Sequence, residues 1–317
     1  MKRQIVVSVA VLLSLASLSL AGPLVPSHIG ADADWVAHIN HDRFNATTLS
    51  KLVRGQLAQL GAEEKLAGFA QIFGFHPIDD LHNITIYGTG PNEEKAVVLA
   101  EGNFDLQKLL ALVSMNPQHE EFGYHGVTMH KWLQVENKKS QTIEKTMYGC
   151  IYKGNTVVIS RGRDAAQNAV DVLAGRADAV EGLLDQSAVA AKGAFIQIAA
   201  RNVDQIAAQQ GQAAIFKQSR ALSLAVGEAD AKFYVSAVLT AANAEAAQAV
   251  TKMAEGVLAF ASLATEEQPR LAQLAKAVQL STEGNLVSLY GEVDSQVLFG
   301  FLLEQWQKNA DKQTGEK

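Results

Sequence analysis

Hydrophobic positions along this chain alternate between short period-2 runs and longer stretches at helical spacing. Asp34 to Asn40 (DWVAHIN) reads as a strand, and Thr47 to Leu60 then sets Leu49, Leu52, Val53, Leu57 and Leu60 on one helical face. A second helical piece, Glu63 to Phe73, ends at Gly74 with Pro77 beyond it. Leu81 to Tyr87 and Lys95 to Ala100 read as strands joined by the turn composition of Gly88 to Asn92. Asn103 is placed to cap a helix carrying Leu106, Leu109, Leu110 and Val113. Phe122 to Leu133 is strand-like, and Gln134 to Gln141 reads as a polar excursion.

Tyr152 to Leu173 reads as strand, Gly-Asn turn, strand and amphipathic helix, closed by Gly175. The same order returns at Ser281 to Leu303, 130 residues later. At that offset Gly154 falls on Gly284, Asn155 on Asn285, Val157 on Val287, Asp164 on Asp294 and Leu173 on Leu303. Gly and Asn suit a positive-φ turn, Asp suits a helix start, and the aliphatics suit a buried face. Gly193 to Ala199 stands where Asp34 to Asn40 stood, Leu222 and Leu224 match Ile84 and Ile86, and Val238, Leu239 and Asn243 match Val98, Leu99 and Asn103. The pattern predicts an α+β fold of two similar repeats, each a largely antiparallel sheet with helices packed on it and a core of its own. The order in each is strand, helix, two strands, helix, strands, helix. The boundaries are residues 1–21 (signal peptide), 22–31 (leader), 32–175 (first repeat), 176–192 (linker), 193–308 (second repeat) and 309–317 (polar tail).

The N-terminus changes the expected compartment. Lys2 and Arg3 precede an apolar run from Ile5 to Leu20, and Ser19-Leu20-Ala21 supplies small residues where a signal peptidase reads. Cleavage after Ala21 predicts a periplasmic or extracellular chain, with no later run long enough for stable membrane insertion. Loss of Lys2 and Arg3 takes the formal charge from −6 to −8. An acidic chain without a basic cluster is unsuited to nucleic acid or an anionic membrane surface. A hydrophobic content of 48% supports a substantial core. Cys150 is the only cysteine, so no intramolecular disulfide forms, and its strand-like surroundings (MYGCIYK) suit a buried, inert thiol.

The opening strand (ADADWVAHINHDRF), with its Trp35-Val36 pair followed by Asp42, resembles a group of uncharacterised exported two-repeat α+β proteins of Planctomycetes-like bacteria. The resemblance implies export and the two-repeat layout, and it carries over no activity and no functional residues.

Candidate chemistry is sparse. All eight histidines (His28, His38, His41, His76, His82, His119, His125 and His130) precede residue 131. His38 and His41, and likewise His125 and His130, are separated by odd numbers of residues, which points them to opposite faces of a strand. No H-E-x-x-H occurs. The expectation is no bound metal and no cofactor; His119, Glu120, His125 and His130, with Glu121 beside them, are the candidate ligands if there is one. Gly88 to Lys95 lacks the second half of a phosphate loop and joins two strands, so it reads as a turn. No G-x-S-x-G supports a nucleophile elbow. Ala241 to Ala264 carries an apolar stripe (Ala246, Ala249, Val250, Met253, Val257, Phe260, Ala264) suited to packing on a sheet or bordering an apolar groove.

These features predict a non-catalytic exported binding or interaction module, its partner an unidentified protein or a small apolar ligand. A metal-dependent hydrolase using the first-repeat histidines is the alternative.

Overall fold

The computed structural model describes residues 23–138, 141–183, 193–210, 217–263 and 269–315. The predicted signal peptide and the end of the polar tail lie outside them. The fold is α+β, built on one antiparallel sheet of twelve strands. In chain order these are β1 (Trp35–Asn40), β2 (Leu81–Gly88), β3 (Ala96–Gly102), β4 (Glu120–Tyr124), β5 (Val127–Lys138), β6 (Gln141–Tyr152), β7 (Thr156–Ser160), β8 (Ala194–Arg201), β9 (Ser219–Ala229), β10 (Lys232–Ala241), β11 (Val278–Glu283) and β12 (Leu286–Asp294). Across the sheet they lie β11-β12-β10-β9-β8-β1-β2-β3-β7-β6-β5-β4.

Nine α-helices lie among the described residues: α1 (His41–Ala46), α2 (Thr48–Gln59), α3 (Ala62–Phe73), α4 (Leu106–Ser114), α5 (Arg163–Leu173), α6 (Val203–Gln210), α7 (Ala244–Leu263), α8 (Pro269–Lys276) and α9 (Ser295–Gly315). Their starts follow local chemistry. The Asn40 side chain accepts from the Arg43 N–H to cap α1, and Thr47 accepts from Ser50 N–H to cap α2. The cap of α4 is Asp105, accepting from Lys108 N–H, rather than Asn103; the chain leaves β3 and needs two more residues before it can turn into the helix. None of these helices is long and apolar enough to cross a membrane.

Separate sheets and separate cores are not what forms. β1 and β8 pair along their length, from Trp35 opposite Ala200 to Ile39 opposite Ile196. Two sheets ending at these strands would leave two unpaired edges, and joining them satisfies both rows of backbone groups. The larger core correspondingly crosses the join. It gathers Val36, Leu99, Met129, Val158 and the α5 residues Ala166, Ala169 and Val170, together with Ala199 of β8. A smaller cluster holds Leu239, Ala246, Ala247, Val250 and Val287. The expected leader and linker also enter the larger core: Ile29 is fully buried, Val180 and Leu183 are nearly so, and Gly30 bridges to Ala179. An aliphatic residue on each of these connections has sheet surface beneath it, so neither behaves as a free spacer.

A carboxylate ties the two halves together. Glu228, on β9, accepts from Thr48 N–H at 2.6 Å and Leu49 N–H at 3.0 Å, and from the Ser295 hydroxyl at 2.7 Å. It thereby occupies the positive end of α2 and holds the start of α9 beside it. Burial pushes its pKa up, but these donors outweigh that and hold it below the usual Glu range.

The segments 130 residues apart have parallel places with unlike details. Asn155 O accepts from Gly102 N–H at the end of β3, and Asn285 O accepts from Ala241 N–H at the end of β10. The first hairpin, however, pairs Tyr152 with Thr156 and so has three loop residues, with Lys153 and Gly154 at positive φ. The second pairs Glu283 with Leu286 and turns on Gly284-Asn285 alone, with positive φ at Gly284. Asp294 directly precedes α9 and accepts from Gln296 N–H at 2.7 Å. Asp164 does not cap α5: Gly162 holds that position and Asp164 lies within the first turn.

Candidate functional site

The end of the sheet formed by β4 to β7 carries a cavity roofed by α4. Of the expected polar excursion at Gln134 to Gln141, residues 134–138 and 141 are instead strand, in a hairpin in which β5 pairs with β6 from Met129–Cys150 to Lys138–Gln141, and residues 139–140 lie outside the described residues. Exposed strand ends need no apolar residues, so polarity there concealed the ladder. Within this hairpin His130 lies opposite Gly149, and the Trp132 ring covers the glycine. A Cβ at Gly149 would fall 2.6 Å from Val158 O and 3.1 Å from the Trp132 ring. The absent side chain is what lets the indole lie flat on the sheet.

Between that floor and α4 lies a cavity of about 330 Å³. Leu109, Leu110 and Val113 form its roof, Trp132, Val157 and Ile159 its floor, and His130 and Asn116 supply polar groups. Amphipathic α4 has its leucines and valine on one face, which the sequence predicted, and the sheet beneath offers aliphatics at alternate positions. Three larger depressions lie among the described residues. One of 680 Å³ near α5 is lined by charges of both signs, including Asp32, Glu94, Lys95 and Arg163. A second, of 630 Å³, is lined by Asp178, Glu181 and Arg201 among others. A third, of 490 Å³, runs from Trp35 to α6. The α4 cavity combines largely apolar walls with the polar groups of His130 and Asn116.

At the rim of this cavity three candidate ligands meet. Asn116 anchors the α4–β4 connection to β5: its Nδ2 donates to Leu133 O at 2.7 Å, and its carbonyl O accepts from His119 N–H at 3.0 Å. His119 therefore sits against the β4–β5 ladder, in which Glu121 pairs with His130. His119 Nε2 lies 3.1 Å from His130 Nδ1, and Glu121 Oε1 lies 4.0 Å from the first and 3.7 Å from the second. The two imidazoles are largely buried, whereas the Glu121 side chain is 56% exposed. Burial holds His130 below the ordinary His range; Glu121 opposes this and His119 adds to it. Among the described residues this is the one group of three potential ligands whose atoms all lie within 4.8 Å of one another.

The other predicted candidates lie elsewhere. Glu120 pairs with Lys131 at 2.9 Å, one residue out of phase with the cluster. His125 stands in the β4–β5 turn at φ 48°, edge-on to Tyr124. His38 and His41 do not share a strand: His38 is in β1 and His41 opens α1. His38 is buried, sharing a 2.9 Å hydrogen bond with Thr85 Oγ1, while its Nε2 has no partner. His82 pairs with Asp42 at 2.9 Å and His76 with Asp79 at 3.1 Å. Cys150 is packed in the core, and burial pushes its thiol up to about 12, so it is an inert apolar group at neutral pH. The Gly88 to Lys95 stretch connects the antiparallel neighbours β2 and β3. Along α7 the apolar stripe divides: Ala246 and Val250 are buried, while Met253, Val257 and Phe260 stand at 50%, 69% and 80% exposure.

No protein-family model matches the chain, and no curated protein matches it. Among solved structures it is similar to crystal forms of TP0453. Form I aligns at 11% identity and a TM-score of 0.49, covering 89% of this chain and 97% of that one. Form III aligns at 10% identity and 0.47, covering 89% and 98%.

Proposed function

We propose that this chain is an exported binding module that holds a small apolar ligand between α4 and the sheet without acting on it chemically. The cavity carries the reading: its 330 Å³ is in the range of small-ligand sites, and its walls are aliphatic and indole surface with His130 and Asn116 at one side. Apolar walls supply affinity through burial, and two polar groups suffice to orient a ligand. Cys150 and His130 both line the cavity, but register places them on opposite strand faces and burial pushes the thiol up to about 12, so nucleophilic catalysis by this pair has no support. Export rests on the basic, apolar and small-residue order of residues 1–21. Descent from two copies of one unit is supported by the matching order around β1 and β8 and by the Asn155 and Asn285 carbonyl contacts.

Toluene and indole are suitable probes. Each is expected to raise the melting temperature saturably, and Val113→Phe, which fills the cavity from α4, is expected to abolish that rise while leaving the apo protein folded. Equal stabilisation of the wild type and the filled variant, or none of either, would refute the proposal.

A further inference from the structure

We infer that His119, Glu121 and His130 form a binding site for one first-row divalent cation, with Zn²⁺ as the best-suited ion. The argument is geometric and does not rest on the ligand reading. Bonds of ~2.0–2.1 Å from a tetrahedral ion to nitrogen and oxygen place the donor atoms ~3.3–3.4 Å apart. The separations here are 3.1, 3.7 and 4.0 Å, so two edges are within about 0.4 Å of such a face and the His119–Glu121 edge is about 0.6–0.7 Å too long. Small rotations of exposed Glu121 shorten the two longer edges without moving the backbone.

The donor set selects the class of ion. Two imidazoles and one carboxylate suit zinc and its neighbours, whereas magnesium and calcium favour all-oxygen shells. Support from the backbone is already present. Glu121 and His130 are ladder partners, and Asn116 pins the residue stretch that carries His119 to the same strand. The backbone of this hairpin and its leading loop thus brings the three side chains together before any ion arrives, while the imidazoles, with centroids 5.3 Å apart and planes 15° apart, must turn from each other to aim both nitrogens at it. The side occupied by Glu121 faces solvent, leaving room for an ion to approach and for a water or ligand atom as fourth donor. The simplest competing account is a neutral His–His hydrogen bond at 3.1 Å, with Glu121 as a bystander.

The mature chain, stripped with EDTA, is titrated with zinc chloride by calorimetry at neutral pH, and with cobalt chloride while visible absorption is recorded. One ion per chain is expected, with a tetrahedral cobalt spectrum and a melting temperature that rises on loading and falls with chelator. His119→Ala is expected to weaken binding about 100-fold or more, since even partners of ligands contribute 10–100-fold. Glu120→Gln, which breaks only the Lys131 pair, is expected to bind like the wild type. The His–His account predicts no stoichiometric binding, and that result overturns the inference. Binding unchanged by His119→Ala and by Glu121→Gln overturns it equally, because the ion is then held elsewhere. Should His130→Ala fail to fold, those two variants still decide, as neither residue is in the apolar core. Ligand-induced stabilisation by toluene is read separately, so either proposal can fail alone.

Discussion

Acidification should destabilise this protein through His38, and the size of the effect can be worked from its surroundings. The imidazole is 2% exposed, sits beside Arg43 and has a buried Nε2 with no partner. Burial first and the Arg43 guanidinium second lower its pKa from 6.5 to about 4. A folded-state pKa below the unfolded one means that the unfolded chain takes up the proton first as pH falls. The stability is therefore fully present above the unfolded value of 6.5 and is lost progressively as pH drops towards about 4. Within that window the slope is about 1.4 kcal/mol per pH unit, for a total near 3 kcal/mol. His41 and His130 are lowered as well and act in the same direction, so the wild-type curve alone does not isolate His38. His38→Asn does, because an amide can keep a partner for Thr85 Oγ1 and cannot titrate. Urea melts of both proteins across the window give the difference directly. The wild type should lose about 3 kcal/mol more than the variant between neutral pH and about pH 4. Parallel curves would refute the reasoning, showing that water reaches the imidazole or that the proton is accommodated by rearrangement.

Two further substitutions test how the halves and their helices are held. Glu228→Ala removes a carboxylate that serves two α2 amides and the Ser295 hydroxyl, and should cost about 2–3 kcal/mol in a urea melt; a loss within ~0.5 kcal/mol would mean that solvent replaces it. Asp294→Ala should cost about 1 kcal/mol as a lost cap, while Asp164→Ala, which keeps no cap bond, should cost only the ~0.3–0.5 kcal/mol of a first-turn charge; equal losses would show that their different places do not matter.

Local elements were readable because each is decided by nearby residues. Leu49 to Leu60 shows its helix by spacing, and Gly74 ends α3 where the pattern stops. What joins these elements was less accessible. The pairing of β1 with β8 depends on two strands about 160 residues apart, and both read equally well as edges of separate sheets. Their side chains alternate the same way in either arrangement, so the sequence cannot choose. The Glu228 clasp is hidden for the same reason: a glutamate on a strand gives no sign that the start of a helix 180 residues away lies over it. Its neighbours in sequence are ordinary strand residues.

His119 and His130 stood among the sequence candidates, but their convergence was not legible, for a reason that can be located in one turn. A single continuous strand from Phe122 to Leu133 makes spacing parity decisive, and parity separates His125 from His130. The chain instead reverses at His125-Gly126, both at positive φ, between the paired residues Tyr124 and Val127. Histidine is among the non-glycine residues that tolerate this conformation, but His-Gly is a much weaker hairpin signal than Asn-Gly or Asp-Gly. Once the reversal is fixed there, register determines the rest: stepping outward from Tyr124–Val127 puts Glu121 opposite His130. His119, two residues before Glu121, then falls on the same face by strand alternation. Odd separation within one strand excludes a shared face, whereas across this hairpin, where directly opposed residues are an odd number apart, odd separation places two residues on the same face. His119 and His130, eleven apart, consequently meet at 3.1 Å while His125, nearer in sequence to His130, remains at the turn.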